Sequence, residues 1–446
     1  MILGRTKWKI SGSFLSINST PWIKSPLLVS KNFCTVPGLI QCTETILQKF
    51  SCKLRCCVHK YRKHIHFCIP EIVSFISFPR KPLCSHSYAF WLYVSVTGDM
   101  EFFKDMAAEV FVETARVWAD VGYFAECKGG KYCICAVTGP DEYNAITDNN
   151  FYTNLMGREN IRYALKSLDM LKEAGEDVYE AFVSRMGITR EETAYWKKIV
   201  ENMYFPYDES RQVYALDDRF MMLRPWDDSR IPPEKRYLLY ENYHPLFVYR
   251  QRMCKQADAI FGLYLHSYLF SKEELKRNYD FYQEVTLHHS SLSNCVFGML
   301  ACQIGYYDEA YEYFAQSARM DLDDYHDNFY AGIHAANMAG TWQAIINGFA
   351  GVRVNGGELE LHPYVPKLFL CKIRLQFSPC NIFYCSSAYD YQIYLLVQKR
   401  SHCSYNLLHR CLSAENSCAI PVEKDCLIFL LHKYFPFLPP DEFPSH

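Results

Sequence analysis

The spacing of apolar residues changes twice along this 446-residue chain. Over residues 1–86, short apolar runs such as 72–78 alternate with Lys/Arg/His runs such as 59–66, and Pro21, Pro26, Pro37, Pro70, Pro79 and Pro82 interrupt them. Residues 367–446 are similar and close on Phe435-Pro436-Phe437-Leu438-Pro439-Pro440. Neither flank offers a long amphipathic helix or a set of matched strands, so both are expected to be irregular.

Between the flanks the texture is helical. Phe102, Met106, Val110, Thr114 and Trp118 recur every four residues with Val117 and Val121 alongside, after a stop and cap at Gly98-Asp99. Residues 149–174 predict a second helix, with Tyr152, Leu155, Ile161, Leu165, Leu168 and Leu171 on one face and Gly175 ending it. A third is predicted over 253–269 from Ala257, Ile260, Leu263, Tyr264 and Tyr268. Residues 293–304 and 309–318 predict a helix pair, separated by Gly305 and capped by Asp308, and 335–347 predict a last helix. Asn355-Gly356-Gly357 followed by alternating Glu358-Leu359-Glu360-Leu361 is a turn-and-strand signal. The fold class that follows is mainly α: an α-helical barrel or layered bundle with a short β segment near its end.

Charge follows the same divisions. Residues 1–86 hold 13 basic against 2 acidic side chains, 87–366 hold 26 against 41, and 367–446 hold 8 against 6. The overall charge of −2 therefore hides a basic front and a middle of −15. An acidic middle repels polyanions, which argues against nucleic acid as a partner. Since no run of 18 apolar residues occurs, a membrane span is not expected either. Nor does the N-terminus have an apolar stretch followed by a small-residue cleavage site, so it lacks a secretory signal; it is basic and poor in acids, a weak resemblance to an organelle-targeting segment. The expected location is cytoplasmic, and the 20 cysteines, 14 of them in the flanks, are expected to be reduced thiols. Cys52, Cys56, Cys57, His59, His64, His66 and Cys68 supply zinc-ligand types within 17 residues. Their spacing lacks the paired ligands of a zinc module, so the cluster is taken as fortuitous and no metal is assigned.

Four segments of the middle could carry chemistry. Gly139-Pro140-Asp141-Glu142-Tyr143-Asn144, with Asp148-Asn149-Asn150 and Tyr152-Thr153-Asn154 after it, is either a turn with acids before a helix or a loop presenting Glu142 as a general acid. In the latter case its amides would bind sugar hydroxyls. Lys255-Gln256-Ala257-Asp258, inside the predicted third helix, is either a solvated stripe or a polar contact. His288-His289-Ser290-Ser291-Leu292-Ser293 precedes a helix, where serine is an N-cap or several hydroxyls form an anion site. Gly332-Ile333-His334 with Met338-Ala339-Gly340-Thr341-Trp342 completes the set. The chain has no Walker loop, serine-hydrolase elbow or dinucleotide fingerprint.

These four ordered blocks, with Gly348-Phe349-Ala350-Gly351-Val352-Arg353-Val354 after the last, resemble glycoside hydrolase family 65, the inverting phosphorylases of maltose, kojibiose and trehalose and their hydrolase relatives. The resemblance covers residues 87–366, including Glu113-Thr114-Ala115-Arg116-Val117-Trp118, and divides the chain into 1–86, a catalytic domain over 87–366, and 367–446. It implies a partial (α/α)6 barrel, a six-hairpin toroid, with its active site at the mouth of the helices. It also implies Glu142 as the catalytic acid, Lys255 and Gln256 as sugar contacts, and Ser290, Ser291, Ser293 and His334 as the lining of a phosphate site. The expected partners are a disaccharide and inorganic phosphate, the latter a co-substrate, with no cofactor; a second copy of the chain is a further candidate partner. A phosphorylase replaces the water and base of an inverting glycosidase with phosphate, so one carboxylic acid and an anion cradle suffice. Asp141 is expected to keep Glu142 protonated by like-charge repulsion. A histidine at 334 suits phosphate better than water activation, which favours phosphorylase over the alternative of a hydrolase. The remaining alternative is an inactive fragment or a sugar-binding module.

Two departures from the family pattern stand out. His289 occupies a position where family members carry Asp. Upstream, the family's β-sandwich and first barrel helices have no counterpart in residues 1–86, where Trp22 is followed by Ile23 rather than an acid. The barrel is therefore expected to be incomplete and to expose part of its apolar interior.

Overall fold

A computed structural model describes residues 82–364 apart from 233–234, 236–238, 326–327, 329, 331 and 356–357, and beyond them the backbone of 370–377, 380–387, 390–397, 406–411 and 418–419. The cysteine- and histidine-rich segment from Cys52 to Cys68 lies outside the described residues.

Helix α1, Pro82–Thr97, buries Phe90 and Val94 one turn apart. A short turn, Met100–Phe102, capped by the Asp99 carboxylate on Phe102 N at 2.9 Å, runs through a π turn, Phe103–Ala107, into α2, Ala108–Val121. This is the stretch in which the four-residue spacing predicts a helix. Its buried face of Val110, Phe111, Thr114, Ala115 and Trp118 packs on α3, Phe151–Ala174. One buried amide ties the three together: Asn160 Oδ1 accepts from Ser87 Oγ at 3.0 Å and from Trp118 Nε1 at 3.1 Å. Each of these donors is fully desolvated, and losing its acceptor would cost about 1–3 kcal/mol. Helices α4, Glu176–Met186, and α5, Arg190–Asn202, close this layer, with Thr189 capping α5 and Arg116 bridging Glu113 and Glu192 at 2.8 and 2.7 Å.

A second layer follows: α6, Ala259–Leu265; α7, Lys272–Val285, opened by a Ser271/Glu274 capping box; α8, Ser293–Ile304; α9, Tyr307–Arg319; and α10, Ala335–Gln343, which continues into a π turn, Ala344–Phe349. Gly305, at φ +92°, takes the left-handed conformation that lets α8 reverse into α9. Helix α3 serves both layers. Phe151 and Leu155 face the core of Phe220, Ile260, Leu263, Tyr282 and Phe297, whereas Tyr152 and Met156 face the core of Phe111, Trp118 and Trp196. These paired helices form the partial (α/α)6 barrel expected from the resemblance.

The strands are short. β1, Tyr123–Ala125, pairs with β2, Lys131–Cys133; β3, Val352–Asn355, pairs antiparallel with β4, Glu358–Leu361, in the register Val352↔Leu361. The second flank differs from expectation. It carries an antiparallel meander of β5, Leu370–Phe377, β6, Cys380–Ser387, β7, Asp390–Val397, and β8, Asn406–Cys411, while β9, Cys418–Ala419, pairs with β4. The alternation of Lys372, Arg374 and Gln376 with Cys371, Ile373, Leu375 and Phe377 is a strand period too short to stand out among the surrounding cysteines and aromatics.

Large apolar side chains are exposed on the segment around α10. Leu322, Tyr330, Ile333 and Trp342 are 79, 90, 61 and 51% exposed, although their residue types are those of a core.

Candidate active site

Two loops far apart in sequence are stitched together where α3 and α6 begin. The Asp141 carboxylate is fully buried and accepts four N–H bonds: Oδ1 from Lys255 N at 2.5 Å and Gln256 N at 3.1 Å, Oδ2 from Tyr143 N at 3.1 Å and Asn144 Nδ2 at 2.7 Å. In return Asp258, the residue before α6, accepts Asp141 N on Oδ2 at 2.9 Å and Asn150 Nδ2 on Oδ1 at 3.0 Å. Each carboxylate thus holds the backbone of the other's loop. Burial pushes the Asp141 carboxyl up to about 6, against the pull of its four donors. Gln256 Nε2 donates to Pro140 O and Asn144 Nδ2 to Met253 O at 2.8 Å, which completes the seam.

This arrangement corrects two expectations. Lys255 and Gln256 are not helical, because their backbone N–H groups serve Asp141 and the helix starts at Ala259. Asp141 is turned into the protein, where it organises the loop; its oxygens are committed to N–H donors rather than set against Glu142. Glu142 points the other way and is half-buried, its Oε2 accepting from Lys255 Nζ at 2.6 Å. Tyr240 Oη donates to the Glu142 carbonyl and lies edge-on to Tyr143, with ring centroids 5.1 Å apart.

The amides after Glu142 are scaffold. Asn150 caps α3 by accepting from Thr153 N at 2.9 Å, Asn149 Oδ1 accepts from Ile134 N at 3.1 Å, and Asn154 Nδ2 donates to Tyr204 O at 2.8 Å. All three, with Asn144, are buried. Gly139 is needed here for space. A Cβ on it would lie 2.4 Å from Asp258 Oδ2 and 2.5 Å from Asn150 Nδ2. Gly139→Ala is accordingly expected to destabilise the fold by about 1–3 kcal/mol through overpacking; an unchanged urea midpoint would show that the seam yields at no cost.

The histidine–serine segment is drawn in by a parallel pairing of 254–255 with 285–289. Cys254 N donates to Val285 O, Leu287 N to Cys254 O and His289 N to Lys255 O, at 2.8, 2.8 and 2.9 Å. His289 Nδ1 then lies 3.3 Å from Tyr143 Oη, next to the Glu142 loop. His288, with φ +53°, turns inward, and its ring sits between Ser293 Oγ at 2.8 Å and Tyr313 Oη at 3.1 Å. Burial holds His288 down at about 4, so the ring is neutral near pH 7.

The expected serine cap is absent: α8 begins after Leu292, and Ser293 is buried in its first turn and bonded to His288. Ser290 and Ser291 stay half-buried in the loop, Ser290 Oγ accepting from Leu292 N at 3.3 Å. His334 immediately precedes α10. That helix start lies at the same end of the bundle as Ser290 and Ser291, because Asn294 of α8 reaches Gln316 of α9 and Asn337 of α10 reaches Ser317 O. The structure therefore groups Glu142, Lys255 and Gln256 tightly, brings the Ser290 loop beside them through His289, and sets Ser293 behind that loop. Asp258, Tyr143, Tyr240 and His289 also build the site; Tyr143 and Asp258 lie in the candidate segments with no role assigned to them, His289 stands out as a departure from a family motif, and Tyr240 carries no sequence signal.

Among the described residues no group of His, Cys, Asp and Glu could hold a metal ion, and no helix is long and apolar enough to cross a membrane. Cys127, Cys133, Cys135, Cys254, Cys295 and Cys302 are free thiols.

Comparison with known proteins gives the family. Residues 84–343 match the model of the glycosyl hydrolase family 65 central catalytic domain. The chain is 45% identical over 280 residues to an α,α-trehalose phosphorylase of Thermoanaerobacter brockii, covering 63% of this chain and 36% of that protein. It is 35% identical over 283 residues to a maltose phosphorylase of Bacillus subtilis (strain 168), again covering 63% and 36%. A solved structure described as a putative kojibiose phosphorylase from the human microbiome superposes with a TM-score of 0.65 at 26% identity, over 75% of this chain and 50% of that one. The chain thus spans about a third of the length of the curated relatives it matches.

Proposed function

Because the chain belongs to glycosyl hydrolase family 65, we propose that its site performs inverting phosphorolysis of an α-glucosyl disaccharide, giving glucose 1-phosphate and a free sugar. The observation that carries this reading is the Glu142–Lys255 pair, seated by the crossed Asp141 and Asp258 carboxylates beside the Ser290–Ser291 loop. Glu142 is the acid that protonates the leaving glycosidic oxygen. Phosphate, held by Ser290, Ser291 and His334, attacks the anomeric carbon from the opposite face, so an α-glucoside yields the β-phosphate. Lys255 and Gln256 bind sugar hydroxyls. The Glu142–Lys255 ion pair has to open when substrate arrives, since an acid catalyst must carry the proton itself. Ser293 supports the phosphate loop through His288 rather than meeting the anion directly. The higher identity to trehalose phosphorylases, 45% against 35% for the maltose enzyme, puts trehalose first among substrates. The free thiols suit a cytoplasmic setting.

The test is incubation of the full chain with trehalose, then maltose and kojibiose, with and without inorganic phosphate. Glucose 1-phosphate of β configuration, formed only when phosphate is present, is the expected result. Equal sugar release in phosphate-free buffer would make the protein a hydrolase. No release in either buffer, with no shift in unfolding temperature on adding glucose and phosphate, would leave a non-catalytic fragment.

A further inference from the structure

One carboxylate beside the site has no task in the scheme above. Asp321 follows the last turn of α9, and its carboxylate grips His334 twice. It accepts the His334 backbone N–H, at 3.1 Å on Oδ2 and 3.3 Å on Oδ1, and its Oδ1 lies 2.6 Å from Nδ1 of the ring. An ionised carboxylate only accepts, so Nδ1 carries the proton in this contact. The bond also holds the Asp321 carboxyl below the usual carboxylate range. On the far side of the ring, Asn328 Nδ2 lies 3.4 Å from Nε2, and Asn328 itself is tethered by its N–H to Asp324 Oδ1 at 3.0 Å. Orientation and tautomer are thus fixed from both edges, by residues that lie outside the four motif blocks.

We propose that Asp321 is the positioning residue of His334: it fixes the Nδ1–H tautomer and leaves Nε2 as the atom that meets phosphate. The proposal rests on the phosphate role given to His334 above and deepens it. In that orientation Nε2 accepts from the P–OH of monoprotonated phosphate, which takes the place of Asn328 Nδ2 on its one lone pair, and as imidazolium it donates to a phosphate oxygen. With the opposite tautomer, Nε2–H would face Asn328 Nδ2 and the bare Nδ1 lone pair would lie against the Asp321 carboxylate. The carboxylate therefore sets both where the ring sits and which way round it is protonated.

The experiment uses the full chain, with His334 resonances assigned from His334→Gln, and records the imidazole nitrogen correlations at alkaline pH in wild type, Asp321→Ala and Asp321→Asn. Inorganic phosphate binding is measured calorimetrically on the same samples, with far-UV circular dichroism as the check of folding. The wild type is expected to show the Nδ1–H tautomer. Asp321→Ala should shift the ring toward Nε2–H and weaken phosphate binding about tenfold, the equivalent of one hydrogen bond to a charged group. Asp321→Asn keeps one acceptor oxygen, so it should retain the tautomer and lose less affinity; it also serves if the alanine variant fails to fold. In phosphorolysis the effect should fall on KM for phosphate, with kcat at saturation little changed. An unchanged tautomer in both variants, or unchanged phosphate affinity, overturns the proposal. A wild type that binds no phosphate while Asp321→Ala still shifts the tautomer overturns the phosphate role of His334 instead, which separates the two failures.

Discussion

Glu142→Gln is expected to lower phosphorolysis of trehalose about a thousandfold or more while leaving the stability of the chain nearly unchanged. The amide keeps the size and shape of the carboxylic acid but has no proton to give to the leaving glycosidic oxygen. Stability is spared because the ion pair with Lys255 sits on a carboxylate 37% exposed, and such pairs contribute about 0–1 kcal/mol. A substrate whose leaving group needs no protonation provides the control. With α-glucosyl fluoride and phosphate, the variant should recover most of the wild-type rate, because fluoride departs as an anion. Retention of more than about a tenth of wild-type turnover on trehalose would remove Glu142 from the role of acid. Equal losses on both substrates would point to a damaged site rather than a missing proton.

The second large effect is expected at Asp258, which touches no substrate in this scheme. Asp258→Ala removes the acceptor of Asp141 N–H and leaves Asn150 Nδ2 with Leu216 O at 3.3 Å, both in fully buried surroundings. At about 1–3 kcal/mol for each lost bond, the fold should lose about 2–6 kcal/mol, read as a lower urea midpoint. Turnover should fall as well, because the Glu142 loop is then free to drift from Lys255 and Gln256, and small misplacements of catalytic groups are expensive in rate. Asp258→Asn offers one oxygen and one N–H₂ group where two donors converge, so it should lie between wild type and the alanine variant. A midpoint for Asp258→Ala corresponding to less than about 0.5 kcal/mol would show that the two loops hold together without the crossed carboxylates.

Much of the helical frame is legible in the chain's own spacing. The four-residue recurrence from Phe102 to Trp118 and the Gly305 break between α8 and α9 match the observed elements. The predicted start at 149 is corrected only to Phe151 by the Asn150 cap. The spacing does not single out helices α4, α5 and α7, because their exposed faces are rich in charge and their apolar positions are sparse. The spacing overextends the third helix: Met253, Cys254 and Ala257 are buried and apolar, as a helix face would be. They are buried in a loop instead, whose N–H groups are spoken for by Asp141.

What the sequence determined by itself is local and chemical: which stretches wind into helices, where they stop, and which residue types stand ready as acid, cation and hydroxyl. Which way each of them turns was decided by the tertiary structure. Asp141 and Glu142 are neighbours of the same charge, yet one is buried and the other faces Lys255. The difference comes from N–H donors that arrive from 114 and 115 positions away and satisfy a carboxylate that water no longer reaches. The same holds for Ser293, claimed by His288 once that ring is driven inward, and for His334, claimed by Asp321 across the gap between α9 and α10. Periodicity encodes burial along one element; partnership between buried polar groups exists only when separate elements meet.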